Sequence, residues 1–257
     1  MLIDSHCHLD FPDLRDELDG VVERARQAGI SRMVTISTRV RRQDDLLCIA
    51  DRFRDVFCSV GTHPHHAHEE LDIGAAELIS RTRHPKVVAI GEAGLDYHYD
   101  NSPRDAQEQG FRAHIAAARE TGLPLVIHAR EADDEVAKIL RQESGKGAFP
   151  AVLHCFTGGH ELAFTGIELG HYVSFTGILT YKKTDELRAI AKELPADRIL
   201  VETDSPYLGP DKEKQAENEP ANVQLTVAYA AELWGTSAEQ AAAQFASNFE
   251  ALFGVAP

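Results

Sequence analysis

The chain is short of positive charge. Its 26 lysines and arginines face 41 aspartates and glutamates, a net of -15 with histidine neutral. That excludes a protein that coats nucleic acid through a basic face and counterion release. It leaves nucleic acid open as a substrate, because bound divalent cations supply positive charge locally. Long apolar runs are missing too: nowhere do about 18 apolar residues follow one another, so no membrane-spanning helix and no membrane partner are expected. No basic segment with the apolar core of a signal peptide precedes the first strand-like run, and a soluble, cytoplasmic protein is expected. Cysteine is scarce: Cys7, Cys48, Cys58 and Cys155 form no CxxC pair. All four are expected to be small buried apolar groups in a reducing compartment, not disulfides or ligands. No GxGxxG follows the first apolar run, which argues against a doubly wound dinucleotide-binding sheet. No linker, low-complexity segment or repeat divides the 257 residues, so one domain, 1–257, is expected.

What is present is a rhythm. Short β-rich runs at Leu2–Asp4, Arg32–Ile36, Val56–Val60, Val87–Ile90, Leu125–Ile127, Ala151–His154, Tyr172–Phe175 and Ile199–Val201 alternate with helix-like stretches. Leu14–Ala28, Arg104–Thr121 and Asp185–Leu194 carry apolar residues at helical spacing, with Gly29, Gly122 and Pro124 at the junctions. Eight strands, each followed by a helix, predict an α/β fold closed as a (β/α)8 TIM barrel. Two extra C-terminal helices, Val223–Trp234 and Ala238–Phe253, complete it.

Two histidines one residue apart, His6 and His8, close the first run. In a strand their imidazoles project to one face while Cys7 projects to the other, and two neutral imidazoles on one face begin a metal site. Glu92, His128, His154 and Asp204 follow or end later strands. All six therefore fall at C-terminal strand ends, where barrels of this type build active sites. Four imidazoles and two carboxylates exceed one closed tetrahedral site. They suit two divalent ions bridged by a carboxylate, Glu92, with Asp204 as the general base. Two metals about 4 Å apart activate a water and stabilise the entering and leaving oxygens of a phosphoryl displacement.

The segments His6-Cys-His8, Gly91-Glu92-Ala-Gly94-Leu95-Asp96-Tyr97, Ile127-His128-Ala-Arg130, His154-Cys-Phe156-Thr-Gly158 and Glu202-Thr-Asp204-Ser205-Pro206-Tyr207-Leu208 together resemble the TatD-type deoxyribonucleases of the amidohydrolase superfamily. The resemblance runs from residue 4 to about 223. It implies a metal-dependent phosphodiesterase that removes nucleotides from DNA ends, with His6, His8, Glu92, His128, His154 and Asp204 as ligands. One departure stands out. Where the family carries Arg-Gly after Pro-Tyr-Leu, this chain reads Gly209 to Glu217 before Asn218-Glu219-Pro220; either Lys212 or Lys214 stands in as a phosphate contact or the stretch is a solvated, mixed-charge turn. A lysine offers a point charge without arginine's bidentate fork.

Other residues on the same rim are candidates for substrate contacts. His63, in Gly61-Thr-His63-Pro64-His65-His66-Ala-His68, is placed as an outer or phosphate-contacting group, while His66 and His68 are expected in solvent. Arg130 would hold a phosphate or pair with a neighbouring acid. Tyr97, Tyr207 and Phe156 either wall the pocket or stack a base; Tyr207 is carried forward as a substrate contact. Asp96 would orient a ligand imidazole or cap the next segment.

The leading expectation is a magnesium- or manganese-assisted 3′-5′ exodeoxyribonuclease on single-stranded ends, serving DNA repair or nucleic-acid turnover. Zinc is the ion a histidine-rich site is expected to retain. DNA would be a transient partner of a monomer without an obligate protein partner. Two alternatives remain open: an ester or amide hydrolase, such as one deacylating mischarged tRNA, and a non-catalytic metal-binding barrel.

Overall fold

The computed structural model describes residues 1–210 and 218–255. Eight parallel strands lie in the order in which they occur in the chain. They are β1 Leu2–Cys7, β2 Ile30–Thr35, β3 Val56–Val60, β4 Val87–Asp96, β5 Leu125–Arg130, β6 Ala151–Leu153, β7 Tyr172–Phe175 and β8 Ile199–Val201. The helices between and after them are α1 Pro12–Arg15, α2 Leu18–Gln27, α3 Gln43–Arg52, α4 Ala75–Arg81, α5 Arg104–Thr121, α6 Asp133–Ser144, α7 His160–Glu168, α8 Asp185–Glu193, α9 Val223–Trp234 and α10 Ala238–Phe253. The expected TIM barrel is present, with α9 and α10 at its end.

Closure comes from the last strand turning back on the first. Asp204 N donates to His6 O (2.9 Å) and His8 N to Ser205 O (2.8 Å). Below them the buried Asp4 carboxylate accepts from Thr203 Oγ1 (2.6 Å) and Thr203 N (2.9 Å).

The strands' alternation builds two apolar layers. One lies between barrel and helices. The other gathers a residue from nearly every strand, among them Ile3, Val34, Val88, Val126, Val152 and Leu200. Only the barrel interior brings all of these together. Phe249, Leu252 and Phe253 of α10 join that inner cluster, so the final helix seals one end of the barrel. Two residues further along the same inward row stand His128 after Val126, His154 after Val152 and Glu202 after Leu200. Interior alternation thus carries the apolar core upward into a polar site.

Three strands run further than their apolar content suggests, two of them through an irregularity. β1 reaches Cys7 and β4 reaches Asp96, so His6 and Glu92 lie inside strands and not at or after their ends; β5 likewise runs on to Arg130 and takes in His128. β1 and β4 have a register irregularity at that point, between Asp4 and Cys7 and between Ile90 and Ala93. Bulges of this kind re-aim a side chain beside a functional site.

Candidate active site

At the C-terminal end of β1 the imidazoles of His6 and His8 meet with their Nε2 atoms 3.3 Å apart. Cys7 points the other way and its thiol donates to Val34 O (3.5 Å). His8 Nδ1 faces Ile36 O at 3.2 Å. A carbonyl only accepts, so Nδ1 carries the hydrogen and Nε2 presents its lone pair to the site.

β4 supplies Glu92 because its backbone passes unusually close to its neighbours. A Cβ at Gly91, whose φ is +110°, would lie 2.7 Å from Val126 O, and one at Gly61 would lie 2.4 Å from Gly91 Cα. Only glycine permits this approach. The Glu92 carboxylate is then buried at the centre of the cluster, with its two oxygens facing different partners. Oε2 lies 3.4 Å from His6 Nε2. Oε1 lies 2.7 Å from His154 Nε2, 2.8 Å from His128 Nδ1 and 3.4 Å from His63 Nε2. Asp204 Oδ1 lies 3.5 Å from the Nε2 atoms of both His6 and His8. Asp204 is held there with a left-handed φ of +54°.

Burial would push the Glu92 carboxyl up, but the imidazoles of His154 and His128 outweigh it and hold the group well below the usual carboxylate range. Asp204 shows the same balance: burial pulls upward, and the neighbouring imidazoles of His8, His6 and His154 pull it down further. Burial alone dominates at His63, which is held down to about 3 and stays neutral. The cluster therefore joins carboxylates held in the ionised form to imidazole nitrogens crowded against them. Lone pairs of His6 and His8 at 3.3 Å repel unless a proton or cation lies between them. This donor set fits divalent metal ions, with imidazole nitrogen and carboxylate oxygen as ligands. Compact donor groups form from His6, His8 and Glu92, from His63, Glu92 and His128, and from His6, His154 and Glu202.

A family model described as TatD related DNase matches residues 3–254. The chain belongs to the TatD-related DNase family. This places it among metal-dependent hydrolases. It is 36% identical over 255 residues to the uncharacterized metal-dependent hydrolase YabD of Bacillus subtilis, covering 99% of this chain and 100% of that one. It is 35% identical over 261 residues to the 3′-5′ ssDNA/RNA exonuclease TatD of Erwinia tasmaniensis, covering 99% and 100%. Among solved structures, the TatD homologue YjjV of Escherichia coli superposes with a TM-score of 0.91 at 27% identity, covering 99% of this chain and 98% of that one.

In this TatD-family barrel a second layer of carboxylates fixes the imidazoles. His128 turns Nδ1 to Glu92 and Nε2 to Asp96 Oδ2 (3.1 Å), which also meets His65 Nε2 (2.8 Å). His154 turns Nε2 to Glu92 and Nδ1 to Glu202 Oε1 (3.4 Å). Glu202 is held by Cys155 N (2.6 Å), Ser174 Oγ (2.7 Å) and Ser5 Oγ (3.2 Å). Sequence reasoning gave Glu202 no role. The signal was available, because Glu202 and Asp204 repeat the one-residue spacing of His6 and His8.

The six expected ligands thus converge, and His63 joins them more closely than an outer group would. Above them opens a cavity of about 660 Å³ that Arg130 and Tyr207 both line. Arg130 pairs with no carboxylate among the described residues; its guanidinium lies 5.2 Å from the Tyr99 ring centre.

Several expectations fail. Tyr97 faces a neighbouring acidic cavity, with the Arg104 guanidinium 3.9 Å from its ring centre. Phe156 is buried against Phe175. His66 lines the cavity, because the helical turn Pro64–Glu69 folds the histidine loop back over the site. Cys48 is exposed on α3. Cys155 also lines the cavity: its φ of +43° takes it out of strand geometry, so alternation does not turn it away. Lys212 and Lys214 lie outside the described residues.

Proposed function

We propose that this TatD-family hydrolase is a phosphodiesterase that removes nucleotides from the 3′ end of single-stranded DNA through a binuclear metal site. The observation that carries the binuclear reading is the division of labour within Glu92. One carboxylate oxygen faces His6, the other faces His128, His154 and His63. A single carboxylate with a separate imidazole group at each oxygen is what a bridge between two cations requires. His6, His8 and Asp204 would hold one ion, and His128 and His154 the other. When bound, two magnesium or manganese ions supply a water activated at neutral pH and charge to offset the entering and leaving oxygens; zinc is the ion the imidazole-rich set would retain.

The chain's own residues do the rest. Asp204 is buried, ionised and beside both His6 and His8, so it is placed to take the water's proton. Asp96 and Glu202 keep His128 and His154 from rotating. Arg130, exposed at the cavity mouth and without an acidic partner among the described residues, is available to a phosphate, as is His63. The choice of DNA and of the 3′ end rests on the family and on the name of the Erwinia relative.

The test is degradation of 5′-labelled single-stranded DNA by metal-stripped protein with magnesium, manganese or zinc restored, RNA in parallel, and Asp204→Asn as control. A shortening ladder that needs metal and disappears in Asp204→Asn supports the reading. No cleavage with any metal discards DNA and moves an aminoacyl-tRNA ester to the front; wild-type turnover by Asp204→Asn removes the aspartate as base.

A further inference from the structure

Large apolar or aromatic side chains exposed among the described residues are few: Met1, Leu71, Tyr99, Tyr207 and Leu225. Two of the five, Tyr99 (56% exposed) and Tyr207 (53%), line the one cavity above the histidine cluster. They follow β4 and β8, which are half a barrel apart in the strand order, so the rings stand on opposite rims with the cluster between them. Two exposed rings turned to one cavity give a ligand there an aromatic face on either side of the cluster.

Both rings are tied to the residues that build the centre. Tyr99 N donates to Asp96 Oδ1 (2.9 Å), on the carboxylate that holds His128. Its ring meets His65 edge-on, centres 5.3 Å apart, and the Arg130 guanidinium lies 5.2 Å away. Tyr207 N donates to Asp204 O (3.0 Å). Its ring stands at 77° to Phe11, centres 6.0 Å apart, and Phe11 stacks on His8 at 4.6 Å and 19°. Each aromatic group therefore sits at a fixed place relative to the cluster.

We propose that Tyr99 with Arg130, and Tyr207 with Phe11, form two base-stacking platforms flanking the reacting phosphate, so that the smallest well-bound substrate is a dinucleotide with both bases unpaired. This rests on the nuclease reading above. Stacking on aromatic rings tolerates any base, since every base has a π face, and a guanidinium adds to it. Bases paired in a duplex already use their faces on their neighbours, so platforms on both rims favour single strands.

The test compares metal-loaded wild type with Tyr99→Ala, Tyr207→Ala, Tyr99→Phe and Tyr207→Phe on oligothymidylates of increasing length from the dinucleotide, with inorganic phosphate as an inhibitor that carries no base. Each alanine variant is expected to raise KM for the dinucleotide about fivefold or more with a smaller change in kcat. Each phenylalanine variant should restore it, and inhibition by phosphate should hold. Alanine variants with wild-type KM, or phosphate inhibition weakened in parallel, would overturn the platforms alone. Wild type inert on every oligonucleotide would overturn the nuclease reading and the platforms together.

Discussion

Asp96 holds His128 from behind: its Oδ2 lies 3.1 Å from His128 Nε2 while His128 Nδ1 faces Glu92 at 2.8 Å. The imidazole is clamped between two carboxylates of one strand, Glu92 and Asp96, and these two acceptors outweigh its burial and raise its pKa. Asp96 in turn accepts from His98 N (3.0 Å) and Tyr99 N (2.9 Å).

Asp96→Asn keeps the shape but replaces a carboxylate acceptor by an amide that is free to donate. Metal affinity is expected to fall about 10- to 100-fold, the usual effect of losing such a partner. Zinc or manganese titration of the apo-protein measures it, and unchanged affinity would remove Asp96 from the metal centre.

Gly94 makes a different demand. It sits in β4 at φ +153°, and a Cβ there would lie 1.9 Å from His128 O. Gly94→Ala must push β4 and β5 apart at the point where Glu92 and His128 face each other. Unfolding in urea should show a loss of at least 1–3 kcal/mol, the range for overpacking in a filled core, with activity falling further than stability explains. Wild-type stability in Gly94→Ala would show that the two strands separate freely.

The barrel was legible because its rhythm is local: helices 104–121, 223–234 and 238–253 follow from spacing alone and are found with those bounds. The convergence of His6, His8, Glu92, His128, His154 and Asp204 was legible from strand ends. What escaped depended on backbone irregularity. His6 and Glu92 sit at the bulges of β1 and β4, and a bulge leaves no periodic trace, so both strands read short; β5 reads short because its last residues, His128 to Arg130, end its apolar run. Cys155 leaves the pleat at positive φ, and alternation failed there. Tyr99, three residues past Asp96, reaches the rim only through the path of the loop, which the sequence pattern does not contain.

His171 gives stability a pH dependence. It is fully buried beside Phe149, and neither ring nitrogen has a hydrogen-bond partner among the described residues. Burial holds it down to about 4, from an ordinary 6.5. Between those values the unfolded chain binds a proton at this residue that the folded chain does not. Stability should therefore decline as pH falls from about 6.5 towards 4, by at most about 3 kcal/mol from this residue. His114 adds a loss of the same sign: it is held down to about 4 by burial, and its Nε2 accepts from Thr62 N. Urea unfolding of His171→Phe from pH 7.5 to 4.5 should show a shallower decline than wild type; an identical slope would locate the acid sensitivity elsewhere.

Asn218 anchors the loop that carries Asp204 and Tyr207. Its side-chain amide donates to Thr203 O (2.9 Å) and Tyr207 O, and its Oδ1 accepts from Asn222 Nδ2 (3.0 Å). The two carbonyls bracket Asp204 in the chain, so one buried amide sets the position of the candidate base. Asn218→Ala leaves both carbonyls without that donor, at a cost of about 1–3 kcal/mol. Asn218→Asp is nearly the same size but puts an acceptor where a donor is needed, opposite two carbonyl oxygens, and adds a buried charge. It is expected to be the more damaging of the two, in both melting temperature and kcat, although it is the smaller change in shape. Asn218→Asp milder than Asn218→Ala would mean that the residue fills space and does not hold the loop.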